Sequence, residues 1–227
     1  MNTKRIVIEA LLIFSAFFLT GFLVQTQTTA RPEDMMSVMS FALVMAVPQI
    51  LLILYILYVQ DKRSLEDFGI VRLSIRDPLR ILLVYLGMCA LILTAASVVQ
   101  LLPDTARELI GEGYRWSLKD AFQLPLALVF CIVSAYREEL FFRSYLLTRL
   151  GQLGVAPQFA IAATALLFSA GHLYAGWGGA AGAALQGILL AVVFLKFRSI
   201  HTIAIAHGLY NFSIFCITLA IGPILPG

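Results

Sequence analysis

Charge is scarce in this sequence. Aspartate, glutamate, lysine and arginine make up 13% of its 227 residues, against roughly a quarter in a soluble domain. The few charges are bunched between long apolar runs, which excludes an ordinary water-soluble globule. Cysteine is nearly absent. Cys89, Cys131 and Cys216 all fall inside apolar runs without metal-ligand spacing, so they read as buried packing residues and not as a disulfide framework or metal site. There is no HExxH motif, clear internal repeat, low-complexity tract or soluble linker, and residues 1–227 therefore read as one integral membrane domain. Strict polar–apolar alternation, which a membrane barrel requires, is also missing. The net charge of +3 is small and sits in loops, suiting contact with anionic lipid headgroups and not with nucleic acid.

Apolar residues are abundant, at 60% of the chain. Seven runs are candidate spans, at approximately 6–25, 36–59, 80–102, 121–147, 157–175, 180–196 and 200–221. About 20 apolar residues cross a hydrocarbon core of about 30 Å, and backbone polar groups in lipid must be satisfied within the segment, so each should be a helix. The expected fold is all-α, a polytopic membrane bundle of about seven transmembrane helices, or eight if a connector forms an interfacial or re-entrant helix. Two connectors mix charge with apolar residues in a way that suits the membrane surface: Ser64 to Ile70, and Asp104 to Lys119 with Leu109, Ile110, Tyr114 and Trp116.

Lys4 and Arg5 before the run from Ile6 to Val24, with Thr28-Thr29-Ala30 after it, imitate a signal peptide. The run exceeds the roughly 7–15 residues of a signal core, so an uncleaved first span is expected. With the N-terminus cytoplasmic, the inner segments hold Lys4, Arg5, Lys62, Arg63, Arg72, Arg76, Arg80, Arg149, Lys196 and Arg198, and the outer ones only Arg31, Arg107, Arg115 and Lys119. The bias of basic residues towards the cytoplasm predicts this orientation.

Ionisable groups inside a span are costly and mark function by default. Arg137-Glu138-Glu139-Leu140-Phe141-Phe142-Arg143 places Glu139 and Arg143 four apart, on one helical face, where they can pair. Glu138 is turned about 100° from Glu139 and can face something else. The plainer reading is that both glutamates pair with the two arginines. Phe168-Ser169-Ala170-Gly171-His172 puts the phenylalanine and histidine on a shared face, where the histidine is either a hydrogen-bonded core residue or a functional one. His207-Gly208-Leu209-Tyr210-Asn211 spaces two polar side chains by one turn, and Gly208 lets another helix approach closely. Trp177-Gly178-Gly179-Ala180-Ala181-Gly182-Ala183-Ala184 reads as tight helix packing with a loop at its start, and Gln186 as a polar contact beyond it.

Together these residues fit one mechanism. Glu138, its basicity raised by an apolar setting, would take a proton from a water held and polarised by His172. The water would attack a peptide carbonyl, and His207 and Asn211 would donate to the developing oxyanion. One feature fits poorly: by these span limits Glu138, His172 and His207 differ in depth by about 10 Å.

Glu138-Glu139 with Arg143, Phe168 with His172, and His207 with Asn211, in this order over three of the last four candidate spans, resemble the CPBP family, the type II CAAX endopeptidases and bacteriocin-processing or immunity (Abi) proteins. The resemblance covers the C-terminal half, with a protease-like core at 121–221. It implies a glutamate-dependent intramembrane endopeptidase with catalytic Glu138, His172, His207 and Asn211, supported by Glu139, Arg143 and Phe168. The implied substrate is a membrane-embedded or lipid-anchored peptide or protein in the lipid bilayer, with no nucleic acid and no cofactor. Family members that process prenylated proteins cut a C-terminal tripeptide after a lipidated cysteine. That substrate does not follow here, since many bacterial relatives have no prenylated target. The location implied is a prokaryotic inner membrane. Three alternatives stand beside this reading: a zinc protease with Glu138, His172 and His207 as ligands and an open fourth position, a non-catalytic immunity or scaffold protein, and a small transporter using Glu138 as a proton relay, against which the lack of a clear repeat counts.

Overall fold

The computed structural model describes residues 3–19, 35–60, 64–111 and 117–221, and the structural statements here concern those residues. Helices form wherever the apolar runs stand. They are α1 (Thr3–Phe14), α2 (Met35–Tyr55), α3 (Asp77–Val99), α4 (Asp104–Gly111), α5 (Leu124–Glu139), α6 (Thr148–Gln152), α7 (Pro157–Ala170), α8 (Gly176–Phe197) and α9 (Ile200–Ile221). No strand occurs among the described residues, and the chain is an all-helical membrane bundle. α1 and α2 each run on into a short π-helical end, Ser15–Leu19 and Ile56–Gln60. Proline marks the first turn of α3, α5 and α7, where its fixed φ is pre-set for a helix and its missing N–H costs nothing.

Four stretches are long and apolar enough to cross a membrane: Met35–Tyr58, Asp77–Val99, Leu173–Phe197 and Ile200–Ala220. The α1 and α7 runs are apolar but shorter. α7, with 14 residues, reaches about 21 Å at 1.5 Å per residue, short of the hydrocarbon core. The expected fifth span, 157–175, in fact breaks at Ala170. The expected loop at the start of 176–184 is instead the first turns of α8. Large apolar side chains such as Leu82, Leu83, Leu86 and Leu93 point outward from α3, an exposure that a soluble monomer rarely shows over a contiguous face. The chain is an integral membrane protein. The signal-like Thr28-Thr29-Ala30 and the loop residues Tyr114 and Trp116 lie outside the described residues. Of the two connectors, Leu65–Phe68 is a 3-10 turn capped by the Ser64 side chain, and Asp104–Gly111 is the helix α4.

Between α5 and α6 the helix widens into a π-helical segment, Leu140–Leu147, and all eight of its residues are buried. A helix buried on every side is a central one, and α2, α7, α8 and α9 all contact this segment. The broadest helix–helix contacts join α5 to α9 and α7 to α8. Gly208 allows the first of these. A Cβ there would stand 2.9 Å from Ile132 Cα and 3.1 Å from the Cys131 carbonyl oxygen, so the close approach expected of this glycine is to α5.

The turn between α8 and α9 explains the depths of the motif residues. Arg198 adopts a left-handed conformation, φ 51°. It donates Nη1 to Thr148 Oγ1 at 3.5 Å and Nη2 to the Asp67 carbonyl oxygen, while the Ile200 N–H donates to the Gly69 carbonyl at 2.8 Å. Ser144 Oγ donates to the Phe68 carbonyl at 2.5 Å. The 64–70 connector is thus folded into the bundle end, and α9 starts level with Thr148 and not with the end of α6. From there Glu139 is nine residues back along the chain and His207 seven residues beyond Ile200, which brings them to one level within about a turn. The expected depth mismatch between these two helices came from treating all span ends as coplanar.

Candidate active site

The site is built from the end of α5 upward. Glu139 and Arg143 form the expected pair, Oε1 to Nη1 at 2.9 Å, with residue exposures of 0% and 1%. Arg143 Nη2 also donates to the Gly187 carbonyl of α8 at 3.2 Å. Its guanidinium lies 4.7 Å from the Phe168 ring centroid and 5.7 Å from that of Phe142, a cation–π sandwich. A buried charge needs this much compensation, because an isolated one would be strongly unfavourable.

Glu139 has a second partner that helical spacing within one motif did not reveal. The same Oε1 lies 2.9 Å from His207 Nδ1. A carboxylate oxygen accepts, so Nδ1 donates, and Nε2 is the nitrogen turned to the other side. It lies 3.8 Å from Glu138 Oε2. Glu138 is therefore placed as its 100° offset predicts: it leaves Arg143 to Glu139 and faces α9. Its other oxygen, Oε1, accepts from Arg137 Nη2 at 3.3 Å.

His172 is not on a helix. α7 ends at Ala170, and His172 begins a 3-10 turn, Leu173–Ala175, ahead of α8. Ser169 Oγ donates to the Ala180 carbonyl at 2.8 Å, tying this corner to α8. His172 Nδ1 lies 2.8 Å from the Phe168 carbonyl oxygen. A carbonyl only accepts, so Nδ1 again carries the proton, and a neutral His172 offers Nε2 as an acceptor. The Phe168 ring is 4.5 Å from the His172 ring and 6.0 Å from that of His207, so one phenylalanine covers Arg143 and buttresses both imidazoles. His172, His207 and Arg137 all lie within coulombic reach of the Glu138 carboxylate.

Six of the seven residues picked out in the sequence thus converge: Glu138, Glu139, Arg143, Phe168, His172 and His207. Asn211 lies one turn beyond His207 on α9 and is partly buried, and its side chain makes no hydrogen bond to the cluster among the described residues. Gln186 lies buried beside Tyr210. No three His, Cys, Asp or Glu side chains among the described residues are gathered closely enough to hold a metal ion. One participant, the backbone carbonyl that holds Arg143, had no signal in the motifs. The Gly187 carbonyl is a backbone group that any residue carries. The third histidine, His201, meets the Tyr136 hydroxyl at 2.8 Å through Nδ1, one turn before Glu139 and outside the cluster.

Residues 120–213 match the family model of the type II CAAX prenyl endopeptidases, Rce1-like. Over that stretch, which is less than half of the chain, the sequence is similar to the CPBP intramembrane proteases. No curated protein and no solved structure matches it. The match runs from the residue that caps the turn before α5 into the second half of α9, and so contains every residue of the cluster. A CAAX-endopeptidase match over the helices that carry the buried carboxylates, in a chain with four helices long and apolar enough to cross a membrane, supports an intramembrane protease of the CAAX type in general terms.

Proposed function

We propose that this chain hydrolyses a peptide bond of a membrane-embedded or lipid-anchored protein or peptide, using a water activated by Glu138 and His172. The observation that carries the reading is the gap between Glu138 Oε2 and His207 Nε2, 3.8 Å. The remaining oxygen of the glutamate is held by Arg137, and the remaining nitrogen of the histidine by Glu139. Both groups are locked from behind with one free atom forward, which is the preorganisation that positional and electrostatic catalysis requires.

In the proposed reaction a water donates one hydrogen bond to Glu138 and one to Nε2 of neutral His172. Glu138 takes the proton as the water oxygen bonds to the carbonyl carbon, and the C=O pair becomes an oxyanion. His207 donates to it from Nε2. Because Nδ1 already donates to Glu139, that step requires the doubly protonated ring. Asn211 supplies the second donor from its amide. Collapse restores the carbonyl, breaks the C–N bond and returns the proton from Glu138 to the leaving amine. Residues 121–221 would be the catalytic core of a single membrane domain. Loop charges favour a cytoplasmic N-terminus, and the family's bacterial members favour a prokaryotic inner membrane.

The reading uses no metal. The test is the purified full chain in liposomes with a panel of internally quenched peptides, some carrying an S-prenylated cysteine fourth from the C-terminus. Cleavage unaffected by chelator is expected. Cleavage abolished by chelator and restored by zinc would favour the Glu138–His172–His207 ligand set instead. No cleavage by the folded wild type would contradict the protease mechanism and favour the scaffold reading.

A further inference from the structure

Arg137 lies outside the Glu-Glu-x-x-x-Arg pattern, and the mechanism above assigns it no step. Neighbouring residues on a helix point about 100° apart and do not ordinarily face each other. Arg137 nonetheless reaches the Glu138 carboxylate, Nη2 to Oε1 at 3.3 Å. The two arginines of the motif divide the work. Arg143 is taken up by Glu139, the Gly187 carbonyl and two phenyl rings, so it balances Glu139. Arg137 is the cation in hydrogen-bond contact with Glu138. It is also the more exposed partner of that pair, 18% of the side chain against 11%, which places it at the rim of the site and not in the packed centre.

We infer that Arg137 is a positioning residue for the general base. Its guanidinium fixes the rotation of the Glu138 carboxylate, so that Oε1 is held and Oε2 is the oxygen presented to His207 and the water. This inference rests on the reading of Glu138 as the base. Without the guanidinium the carboxylate can rotate about its Cγ–Cδ bond, and neither oxygen is preferentially aimed. The consequence is a loss of turnover with little change in substrate binding, since Arg137 does not itself meet the scissile bond. A hydrogen bond between charged groups is worth enough to predict a loss in kcat of about tenfold to a hundredfold.

The experiment uses the full-length chain in liposomes with whichever peptide of the panel the wild type cleaves, and compares Arg137→Ala, Arg137→Lys, Glu138→Gln and the double variant Arg137→Ala with Glu138→Gln. The expected result is that Arg137→Ala keeps KM and the wild-type melting temperature but loses kcat by the stated factor. Arg137→Lys, which retains a cationic donor, is expected to recover most of the loss, and added guanidinium ion should partly restore Arg137→Ala. The double variant should be no worse than Glu138→Gln alone, because groups acting as a unit are not additive. Should Arg137→Ala not fold, Arg137→Gln and Arg137→Lys carry the comparison. Full kcat in a folded Arg137 variant lacking the cation, with Glu138→Gln dead, would overturn the role of Arg137 alone. Normal cleavage by Glu138→Gln would overturn the mechanism on which it rests. A raised KM at unchanged kcat would make Arg137 a substrate contact and refute positioning.

Discussion

Replacing Glu139 by glutamine should unfold the protein far more readily than replacing its neighbour Glu138. Glu139 and Arg143 are 0% and 1% exposed and pair at 2.9 Å. Glutamine keeps the shape but removes the charge that balances Arg143, leaving a guanidinium in an apolar centre with only a carbonyl and two rings around it. Breaking a buried pair from one side costs about 3–5 kcal/mol. That is a large part of a typical stability of about 5–15 kcal/mol. At about 2–4 °C per kcal/mol for a chain of this size, the melting temperature in detergent should fall by roughly 6–20 °C. Glu138→Gln touches a pair that keeps some access to solvent, 18% and 11% of the side chains, and should stay within about 1 kcal/mol of wild type. Removing both charges, with Arg143→Met added to Glu139→Gln, should recover much of the loss, since an apolar replacement of a buried pair is often close to neutral. Thermal unfolding followed by tryptophan fluorescence measures all four proteins. Glu139→Gln melting with the wild type would show that Arg143 does not depend on the Glu139 charge, as would a double variant less stable than Glu139→Gln alone.

Three further outcomes follow from the same contacts. Gly208→Val should push α9 off α5, because even a Cβ there stands within 2.9 Å of Ile132 Cα; the cost is about 1–3 kcal/mol or more, read as a lower melting temperature, with Gly208→Ala intermediate. Phe168→Ala removes a ring that covers Arg143 and supports both imidazoles; it should cost about 3–5 kcal/mol, whereas Phe168→Leu should retain much of the stability and lose turnover. Asn211→Ala should leave the melting temperature unchanged, since its partly buried side chain makes no hydrogen bond to the cluster among the described residues, yet lower kcat by about a hundredfold or more. Unaltered kcat would remove Asn211 from the oxyanion site.

Much of this was legible in the residues themselves. Apolar run lengths located the helices, and four-residue spacing paired Glu139 with Arg143 and freed Glu138. What could not be read depends on contacts between segments far apart in the chain. Arg198 and Ser144 grip backbone carbonyls of the 64–70 connector, and that sets the level of α9, so no count of residues from a span end could place His207 beside Glu138. The apolar run around His172 predicts a helix there, but Gly171 and His172 leave the helix and let the Phe168 carbonyl orient the imidazole. The π-helical turns at Leu140–Leu147 bury residues on every side, a pattern that a 3.6-residue period does not describe. The sharing of one Glu139 oxygen between Arg143 and His207 joins two motifs 68 residues apart, and neither motif signals it alone.

Glu138 is the group proposed to activate the water, and cleavage by purified Glu138→Gln is the sharpest check of that role. The amide keeps the size of the side chain and cannot accept the proton. The expected variant is folded, melts close to the wild type and loses turnover by a factor of about 10² or more. Cleavage by folded Glu138→Gln at the wild-type rate would contradict that role.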